Sequence, residues 1–184
     1  MFKILYKEKK IIAISDTHGK HRDLDIPDCD ILIHCGDVCT FGNKSEILDF
    51  FSWFSQTKAK YKLFIAGNHD FPFVFEPNEA LQLIPNNVIF IENRIKIIAG
   101  ISFYGLNSAI DFFEMPKITN KEIDFLITHI PPKQILDENI GCPILRKFVK
   151  IQKPKFHLFG HAHRCANKKR ITKDTIFVNC CSLF

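Results

Sequence analysis

Short apolar runs that each stop at a glycine or a polar residue are the main pattern of this chain. In the clearest one, residues 63–66 are followed by Gly67, Asn68, His69 and Asp70. An apolar run of four to eight residues that ends at a glycine is typical of a strand buried on both faces. Four more runs end similarly: 11–15 before Asp16 and His18, 31–35 before Gly36 and Asp37, 125–128 before His129, and 156–159 before Gly160, His161 and His163.

The residues that follow these five runs share one chemical property. Their Asp, Asn and His side chains bind metal ions or move protons. In open α/β sheets, ligands bind just beyond the carboxyl ends of the strands. We therefore expect five loops, one after each predicted strand, to meet at a single pocket.

Ordinary patterns predict the remaining elements. Asn43 or Ser45 would cap a helix that runs to Thr57. Its apolar face is expected to contain Ile47, Leu48, Phe51 and Phe54. The other predicted elements are an edge strand at 2–6, a turn at 7–10, a short helix around 80–83, strands at 88–91, 95–99 and 101–104, a helix at 143–152 and a strand at 175–180. The three strands after residue 87 resemble a meander rather than another βαβ unit.

Composition and charge describe an ordinary globular protein. Hydrophobic residues make up 46% and charged residues 24% of the 184 positions, and 19 phenylalanines predict an aromatic core. Neither a repeat nor a low-complexity linker interrupts the chain, so we expect one domain over residues 1–184. The net charge of +5 is modest, and the two tight basic groups, 7–10 and 168–170, are expected to be solvated surface. This charge pattern does not indicate nucleic-acid binding.

The seven cysteines argue against a secreted, disulfide-rich domain. Their number is odd, Cys180 and Cys181 are adjacent, and no Cys-x-x-Cys pair is present for a structural zinc site. Mostly reduced, buried thiols are expected, as in a cytosolic protein. Since no signal-peptide core and no membrane-length apolar run is present, we predict a soluble, cytoplasmic protein.

Seven side chains form the inventory of a site for two metal ions. Sharing one carboxylate would give each ion four protein ligands, and mixed imidazole and carboxylate ligation suits Mn²⁺, Fe, Zn²⁺, Co²⁺ or Ni²⁺ better than Ca²⁺ or Mg²⁺. Two such ions about 3.5–4 Å apart are the usual device for in-line attack at phosphorus. Phosphoryl hydrolysis is therefore the first hypothesis. The candidate ligands are Asp16, His18, Asp37, Asn68, His129, His161 and His163.

Three further histidines and one aromatic segment admit other interpretations. His34 and His157 lie inside predicted strands and are expected to be structural. His21 is predicted either to reach the pocket or to lie on the surface. Residues 71–75 would form either an exposed apolar lip or, as we favour, part of the core.

Taken together, these motifs resemble those of the calcineurin-like metallophosphoesterases from Asp16 to the end of the chain, in order and in spacing. Residues 33–37, 65–70, 103–105, 128–132 and 159–163 resemble a narrower branch, the brain-type metallophosphoesterase-domain proteins of animals and their small bacterial relatives. The resemblance implies an α/β fold in which a sandwich of two β-sheets is flanked by helices, giving four layers (αββα).

The resemblance also implies a role for each candidate residue. Asn68 would steady a phosphate oxygen as well as bind metal, His69 would protonate the leaving oxygen, and Asp70 would orient His69 or its loop. A hydroxide held between the metals would attack phosphorus. The implied ligands are Asp16, His18 and His163 for one metal and Asn68, His129 and His161 for the other, with Asp37 bridging both.

Two departures from related patterns narrow the expected activity. Protein serine/threonine phosphatases carry an Asp-Arg pair where this chain has Thr40 and Phe41, which argues against protein phosphatase activity. Some brain-type members replace a ligand of the last motif with glycine, whereas His161 and His163 are both present here. A competent second metal site is therefore expected.

The leading functional hypothesis is a phosphodiesterase that acts on a small diester, such as a cyclic nucleotide. A phosphomonoesterase or nucleotidase, and a non-catalytic scaffold with the same fold, are the alternatives. A DNA-processing nuclease is disfavoured because no aromatic, basic groove is evident. The oligomeric state is left open. Candidate walls of the substrate pocket are Asn107, Ser108, Phe112 and Phe113.

Overall fold

Two mixed β-sheets face each other in this protein, whose computed structural model describes residues 1–106, 116–117 and 120–182. The first sheet has the strand order β1-β2-β3-β4-β5, in which β1 is antiparallel and the others are parallel. Its strands are β1 (Phe2–Tyr6), β2 (Lys9–Ile14), β3 (Ile31–His34), β4 (Tyr61–Phe64) and β5 (Val88–Phe90).

The second sheet has the strand order β10-β11-β9-β8-β7-β6. Its four inner strands are parallel, while the edge strands β6 and β10 are antiparallel to their neighbours. Its strands are β6 (Arg94–Ile98), β7 (Ile101–Gly105), β8 (Phe125–Ile127), β9 (Phe156–Phe159), β10 (Lys169–Ile171) and β11 (Ile176–Asn179). The predicted pocket walls at 107, 108, 112 and 113 lie outside the described residues.

Helices cover the outer face of each sheet, which gives the four layers that the resemblance implied. The largest are α1 (Lys44–Gln56) and α4 (Pro143–Gln152), and two short helices, α2 (Pro72–Phe75) and α3 (Pro77–Gln82), lie between β4 and β5. Apolar side chains such as Ile33 and Phe125 pack between the sheets, and those under α1 and α4 form two further cores. The α/β sandwich fold is therefore confirmed. None of the helices in the described part of the chain has the length and apolar character needed to cross a membrane.

Helix α1 begins at the predicted Asn43, whose side chain accepts from the Glu46 amide in a capping box. Ser45 instead donates to the Asn43 carbonyl oxygen Oδ1 at 2.5 Å. The predicted apolar face is wrong at one position, because Leu48 is exposed and Phe50 is buried in its place. The buried set 47, 50, 51 and 54 follows the i, i+3, i+4, i+7 spacing of one helical face.

The predicted meander after residue 87 is wrong in its pairing. β5 pairs in parallel with β4 in the first sheet, and only β6 and β7 form a hairpin, in the second sheet. A parallel pairing needs a crossover of a dozen or more residues, and the segment with α2 and α3 supplies it. The chain thus passes from one sheet to the other between Phe90 and Arg94.

Two smaller differences concern charged segments. The predicted turn at 7–10 is confined to Lys7 and Glu8, which have positive φ angles of 46° and 60°, and β2 already begins at Lys9. The basic group at 168–170 is exposed as predicted, but it also contributes to the three-residue edge strand β10. Charged residues on an edge strand discourage pairing with other chains.

Asp124, the residue before β8, connects the β1–β2 hairpin of the first sheet to the second sheet. This buried carboxylate accepts from the Tyr6 hydroxyl at 2.5 Å, from Lys7 Nζ at 3.1 Å and from the Ser102 amide at 2.9 Å, and it lies 3.2 Å from Lys155 Nζ. Burial alone would raise the pKa of Asp124, but these partners lower it well below its usual value.

We expect Asp124→Asn to lower the free energy of unfolding by about 1–3 kcal/mol at pH 7, because charged hydrogen bonds are lost. Since the folded-state pKa lies below the usual 3.8, this contribution is present above about pH 4 and is lost as the pH falls through the folded-state value. Urea unfolding of both proteins at pH 7 and pH 3 measures the difference, which should shrink at pH 3.

The matched control is Asp174→Asn, which removes an exposed pair with Lys153 at 3.7 Å. This variant should stay within about 0.5 kcal/mol of the wild type. If the difference in free energy of unfolding between wild type and Asp124→Asn stayed constant or increased on acidification, it would contradict the stabilising role of the ionised Asp124 carboxylate.

Candidate metal centre

The five predicted loops meet where the carboxyl ends of the two sheets adjoin. β2, β3 and β4 of the first sheet lead to Asp16, Asp37 and Asn68, while β8 and β9 of the second lead to His129 and His161. Backbone contacts close the junction: Ser15 and Cys181 form an isolated parallel bridge, and the Ser182 amide donates to the Ser15 carbonyl at 2.9 Å. The meeting point of the five loops is thus formed jointly by both sheets.

Asp16, His18 and His163 form a first group that could hold a metal ion, with one donor atom from each lying within 4.8 Å of the others. His163 Nε2 is 3.0 Å from Asp16 Oδ1, and His18 Nε2 is 4.0 Å from the same oxygen. Asp16 is buried, whereas His163 is exposed. One side of this group therefore faces solvent.

Asp37, His129 and His161 form a second group with the same spacing limit of 4.8 Å. Asn68 belongs beside it, because its Oδ1 lies 2.9 Å from His129 Nε2. Two lone-pair atoms at this separation match neighbouring ligands of one ion, whose bonds to such atoms are about 2.0–2.2 Å long.

The Asp37 carboxylate lies between the two groups. Its Oδ2 is 3.2 Å from His129 Nε2 and 3.9 Å from His18 Nε2, and its Oδ1 accepts from the His69 backbone amide at 2.8 Å. A single carboxylate oxygen is thus shared by histidines of both groups, which is the arrangement expected of a bridging ligand.

Three histidines are anchored through Nδ1 to backbone carbonyl groups. His18 Nδ1 is 2.7 Å from the Cys39 carbonyl, His129 Nδ1 is 2.9 Å from that of Cys35, and His69 Nδ1 is 3.0 Å from that of Thr40. A carbonyl only accepts, so each Nδ1 carries the proton. Metal-binding histidines are commonly held in this way, which leaves Nε2 for the ion. The buried His18 Nε2 has no hydrogen-bond partner, as expected of a ligand atom.

Histidines supply the positive charge around the two buried carboxylates. Burial would raise the pKa of Asp16 and Asp37, but His163 and His129 lower that of Asp16, and His129 with the His69 backbone amide lowers that of Asp37. Burial would likewise lower the pKa of His129, yet Asp37 and Asp16 raise it to about 9. Protons on these imidazoles balance the carboxylates, and divalent cations would take their place. The donor set therefore fits metal ions.

Strained backbone and close contacts accompany the candidate ligands. Asp16, His18, Asp37 and His161 have positive φ angles of 56°, 43°, 61° and 67°, a region that is rare for residues with a side chain. A Cβ on Gly160 would lie 2.2 Å from Asp16 Oδ2. Glycine is thus required there for the two sheets to approach.

Asp70 organises the loops rather than the ring of His69. This fully buried carboxylate accepts four backbone amides at 2.9–3.0 Å, and together they connect the loop after β3 with the loop after β4. Of the two roles left open by the sequence, orienting the loop fits these contacts. The four amide donors belong to Asp37, Val38, Cys39 and Gly67.

The strand histidines His34 and His157 are buried and structural, as predicted. His34 Nε2 is 3.1 Å from the Thr17 hydroxyl, and His157 Nε2 is 2.9 Å from the Thr128 hydroxyl. Each threonine adjoins a candidate ligand, so both histidines steady the ends of ligand loops. Burial lowers the pKa of both histidines to about 3, which keeps them neutral.

His21 fits neither of its two predicted places. It is buried against α1, where its Nε2 lies 3.1 Å from Asp49 Oδ2. Cys181 was not singled out from the sequence, although its thiol donates to Asp16 Oδ2 at 3.1 Å. Only its position just after a predicted strand end could have suggested this contact.

The αββα sandwich and its two adjacent candidate metal-binding groups are features of a metallophosphoesterase. A profile of the calcineurin-like phosphoesterases matches residues 9–165, and the chain belongs to this family. The family resemblance drawn from the sequence is confirmed.

Similar proteins include members of the narrower branch. A UPF0046 protein of Caenorhabditis elegans is 32% identical over 183 residues, covering 84% of this chain and 63% of that protein. Human metallophosphoesterase domain-containing protein 1 is 29% identical over 196 residues, covering 84% of this chain and 60% of that protein. The chain thus spans 60–63% of the length of these curated relatives.

Solved structures show the same fold. A protein of Thermus thermophilus superposes with a TM-score of 0.66 at 14% identity, covering 92% of this chain and 87% of that one. Phosphopantetheinyl hydrolase from Mycobacterium tuberculosis superposes with a TM-score of 0.65 at 12% identity, covering 94% and 88%. At these identities the likeness concerns the fold alone.

Replacing Asp37 should impair both metal-binding groups, because its carboxylate lies between them. We expect wild-type protein to bind two Mn²⁺ per chain, Asp37→Asn to bind both weakly, and His163→Ala to lose only one. Equilibrium dialysis with metal analysis measures the stoichiometry. Each loss of metal affinity should exceed the roughly 10–100-fold loss that is typical when a residue that only supports a ligand is replaced.

His69→Ala is the matched control for metal binding, since His69 adjoins the groups but is not a candidate ligand. It should retain two Mn²⁺ per chain. Full occupancy in Asp37→Asn, or loss of both ions in His163→Ala, would contradict the assignment of the two groups.

Asp70→Asn is expected to lower the free energy of unfolding by about 2–5 kcal/mol, because an amide nitrogen cannot accept and would leave buried N–H groups unpaired. Urea unfolding in the presence of a chelator separates this effect from metal binding. Asp25→Asn, at an exposed position, is the control and should change stability by less than about 0.5 kcal/mol. Equal free energies of unfolding for the two variants would contradict a stabilising role for the contacts of Asp70 with the two loops.

Proposed function

We propose that this chain hydrolyses a small phosphodiester, such as a cyclic nucleotide, with two divalent metal ions. The observation that carries the proposal is the position of Asp37 between two metal-binding groups, with the anchored His69 beside them. Family membership supports phosphoester hydrolysis as the reaction class. Manganese is the metal we propose, and the donor set also suits iron, zinc, cobalt or nickel.

The proposed ligands follow the geometry of the two groups. Asp37 would be shared between the ions, which when bound would supply Lewis-acid activation of water and of the phosphoryl oxygens. The ligands are Asp16, His18 and His163 for one ion and Asn68, His129 and His161 for the other.

His69 is proposed as the general acid that protonates the leaving oxygen. Its Nδ1 hydrogen is donated to the Thr40 carbonyl, so Nε2 is the nitrogen left to deliver a proton. Its ring centroid lies 5.0 Å from that of His18, next to the first group. Because its backbone amide is bonded to Asp37, the ring keeps a fixed relation to the shared carboxylate.

Asn68 and Asp70 would assist on either side of His69. The Asn68 side chain offers an oxygen to the second ion and an amide N–H to a phosphate oxygen. Asp70 would act as a positioning residue, because its carboxylate fixes the loop that carries both neighbours.

The test is hydrolysis of bis(p-nitrophenyl) phosphate and p-nitrophenyl phosphate by Mn²⁺-loaded protein. We expect the diester to be cleaved faster, and His69→Ala to lower kcat by about 10²–10⁴-fold, as is typical for loss of a general acid. Metal content and circular dichroism should be unchanged in the variant.

Other outcomes would point to other functions. Faster cleavage of the monoester would replace the phosphodiesterase with a phosphomonoesterase or nucleotidase. No cleavage of either ester by protein that holds two ions would overturn the catalytic proposal and favour a binding role for the fold.

A further inference from the structure

We infer that Phe41, Phe71 and Phe75 form a binding surface, here called the aromatic shelf, for a flat aromatic group on the leaving side of the substrate. This inference rests on the proposed function, because it assigns one side of the same site. It names residues for substrate selection that metal binding and proton transfer do not use.

Exposure sets these three residues apart. Eight phenylalanines are among the largest fully buried side chains of the protein. Within the part of the chain that the structure describes, the exposed phenylalanines are Phe41 at 79%, Phe71 at 41% and Phe75 at 77%. The sequence favoured burial of residues 71–75, and only Phe73 and Pro72 follow that expectation. Grouped exposed apolar side chains commonly mark a binding site.

All three phenylalanines lie on segments that hold or adjoin His69. Phe41 follows Thr40, whose carbonyl anchors the His69 ring. The Phe71 ring lies 6.2 Å from that of His69 and is nearly parallel to it, at 17°. Phe75 continues the surface, with its ring 6.3 Å from that of Phe71. The Phe71 end of the aromatic shelf therefore lies beside the proposed general acid.

The Phe71 ring is held in place by the neighbouring loop. Gly42 has a φ of +69°, and a Cβ at this position would lie 2.4 Å from Phe71 Cδ2. The loop backbone thus packs directly on one edge of the ring, and only glycine permits this approach. A ring fixed in this way loses little freedom when a ligand stacks on it.

The place and shape of the aromatic shelf define the chemistry of its ligand. A group that contacts Phe71 next to the acid belongs to the part of the ester that carries the leaving oxygen. Flat rings stack on aromatic side chains with a gain of about 1–3 kcal/mol per base, which corresponds to about 5–150-fold in affinity. A nucleobase and a simple aryl group share this chemistry, and the experiment separates them.

Two ligand pairs test the inference by calorimetry on Mn²⁺-loaded protein. Comparing the affinities for adenosine 5′-monophosphate and ribose 5-phosphate isolates the contribution of the nucleobase. Comparing phenylphosphonate with methylphosphonate isolates that of a simple aryl ring, in ligands whose carbon–phosphorus bond is not an ester and is not hydrolysed. We expect wild-type protein to prefer the aromatic member, and Phe71→Ala or Phe75→Ala to reduce that preference by about 5–150-fold. A change in the nucleotide pair alone would identify the nucleobase as the ligand, and a change in both pairs a general aryl site.

Ile97→Ala is the matched control, because Ile97 is 74% exposed on β6 of the second sheet and should leave both preferences unchanged. The inference is overturned if wild type shows no aromatic preference or if the phenylalanine variants keep it. It is also overturned if light scattering shows that these variants only dissociate a dimer, since the surface would then bind a second copy of the chain.

Failure of this inference can be told apart from failure of the proposed function. Diester hydrolysis that depends on His69, together with an unchanged preference of Phe71→Ala for aromatic ligands, would overturn the aromatic-shelf inference alone. If Phe71→Ala loses the preference for aromatic ligands but the wild type hydrolyses no ester, the catalytic proposal is overturned and the aromatic binding site is retained.

Discussion

The burial of two carboxylates, Asp16 and Asp37, is the constraint on which the rest of the site depends. A carboxylate taken out of water is destabilising unless it is paired and hydrogen-bonded. Here backbone amides donate to both, and His163 and His129 lie 3.0 and 3.2 Å from them. These imidazoles are also candidate metal ligands, so the contacts that make burial tolerable arrange the donor atoms in advance.

A second layer of buried polar residues holds the loops rather than the ligands themselves. Asp70 fixes two loops of the first sheet through four amides, while His34 and His157 each bond a threonine beside a candidate ligand. The two histidines lie on strands of different sheets, His34 at the end of β3 and His157 within β9, and burial keeps both neutral. The two halves of the site thus have the same kind of support, although they come from distant parts of the chain.

Most of the candidate ligands and the strands that carry them could be predicted from the sequence, because each ligand follows its strand directly in the chain. The run before Asn68 predicts both a buried strand and the loop that follows it. The parallel pairing of β5 and the short strand β10 were not predictable in the same way, because pairing partners are non-local and β10 has no apolar pattern. Backbone carbonyl anchors such as that of Cys39, and the contact of Cys181 with Asp16, leave no mark on residue type or spacing.

The contact between Asp16 and His163 joins residues 147 positions apart. This group takes Asp16 from a loop of the first sheet and His163 from a loop of the second, and closing so long a loop costs chain entropy that the docked sheets must offset. The first metal-binding group is therefore absent until both sheets have docked, and ions bind a nearly native chain rather than guide its early steps. Bound metal would accordingly prolong the lifetime of the folded protein by slowing unfolding, with little effect on how quickly the chain folds.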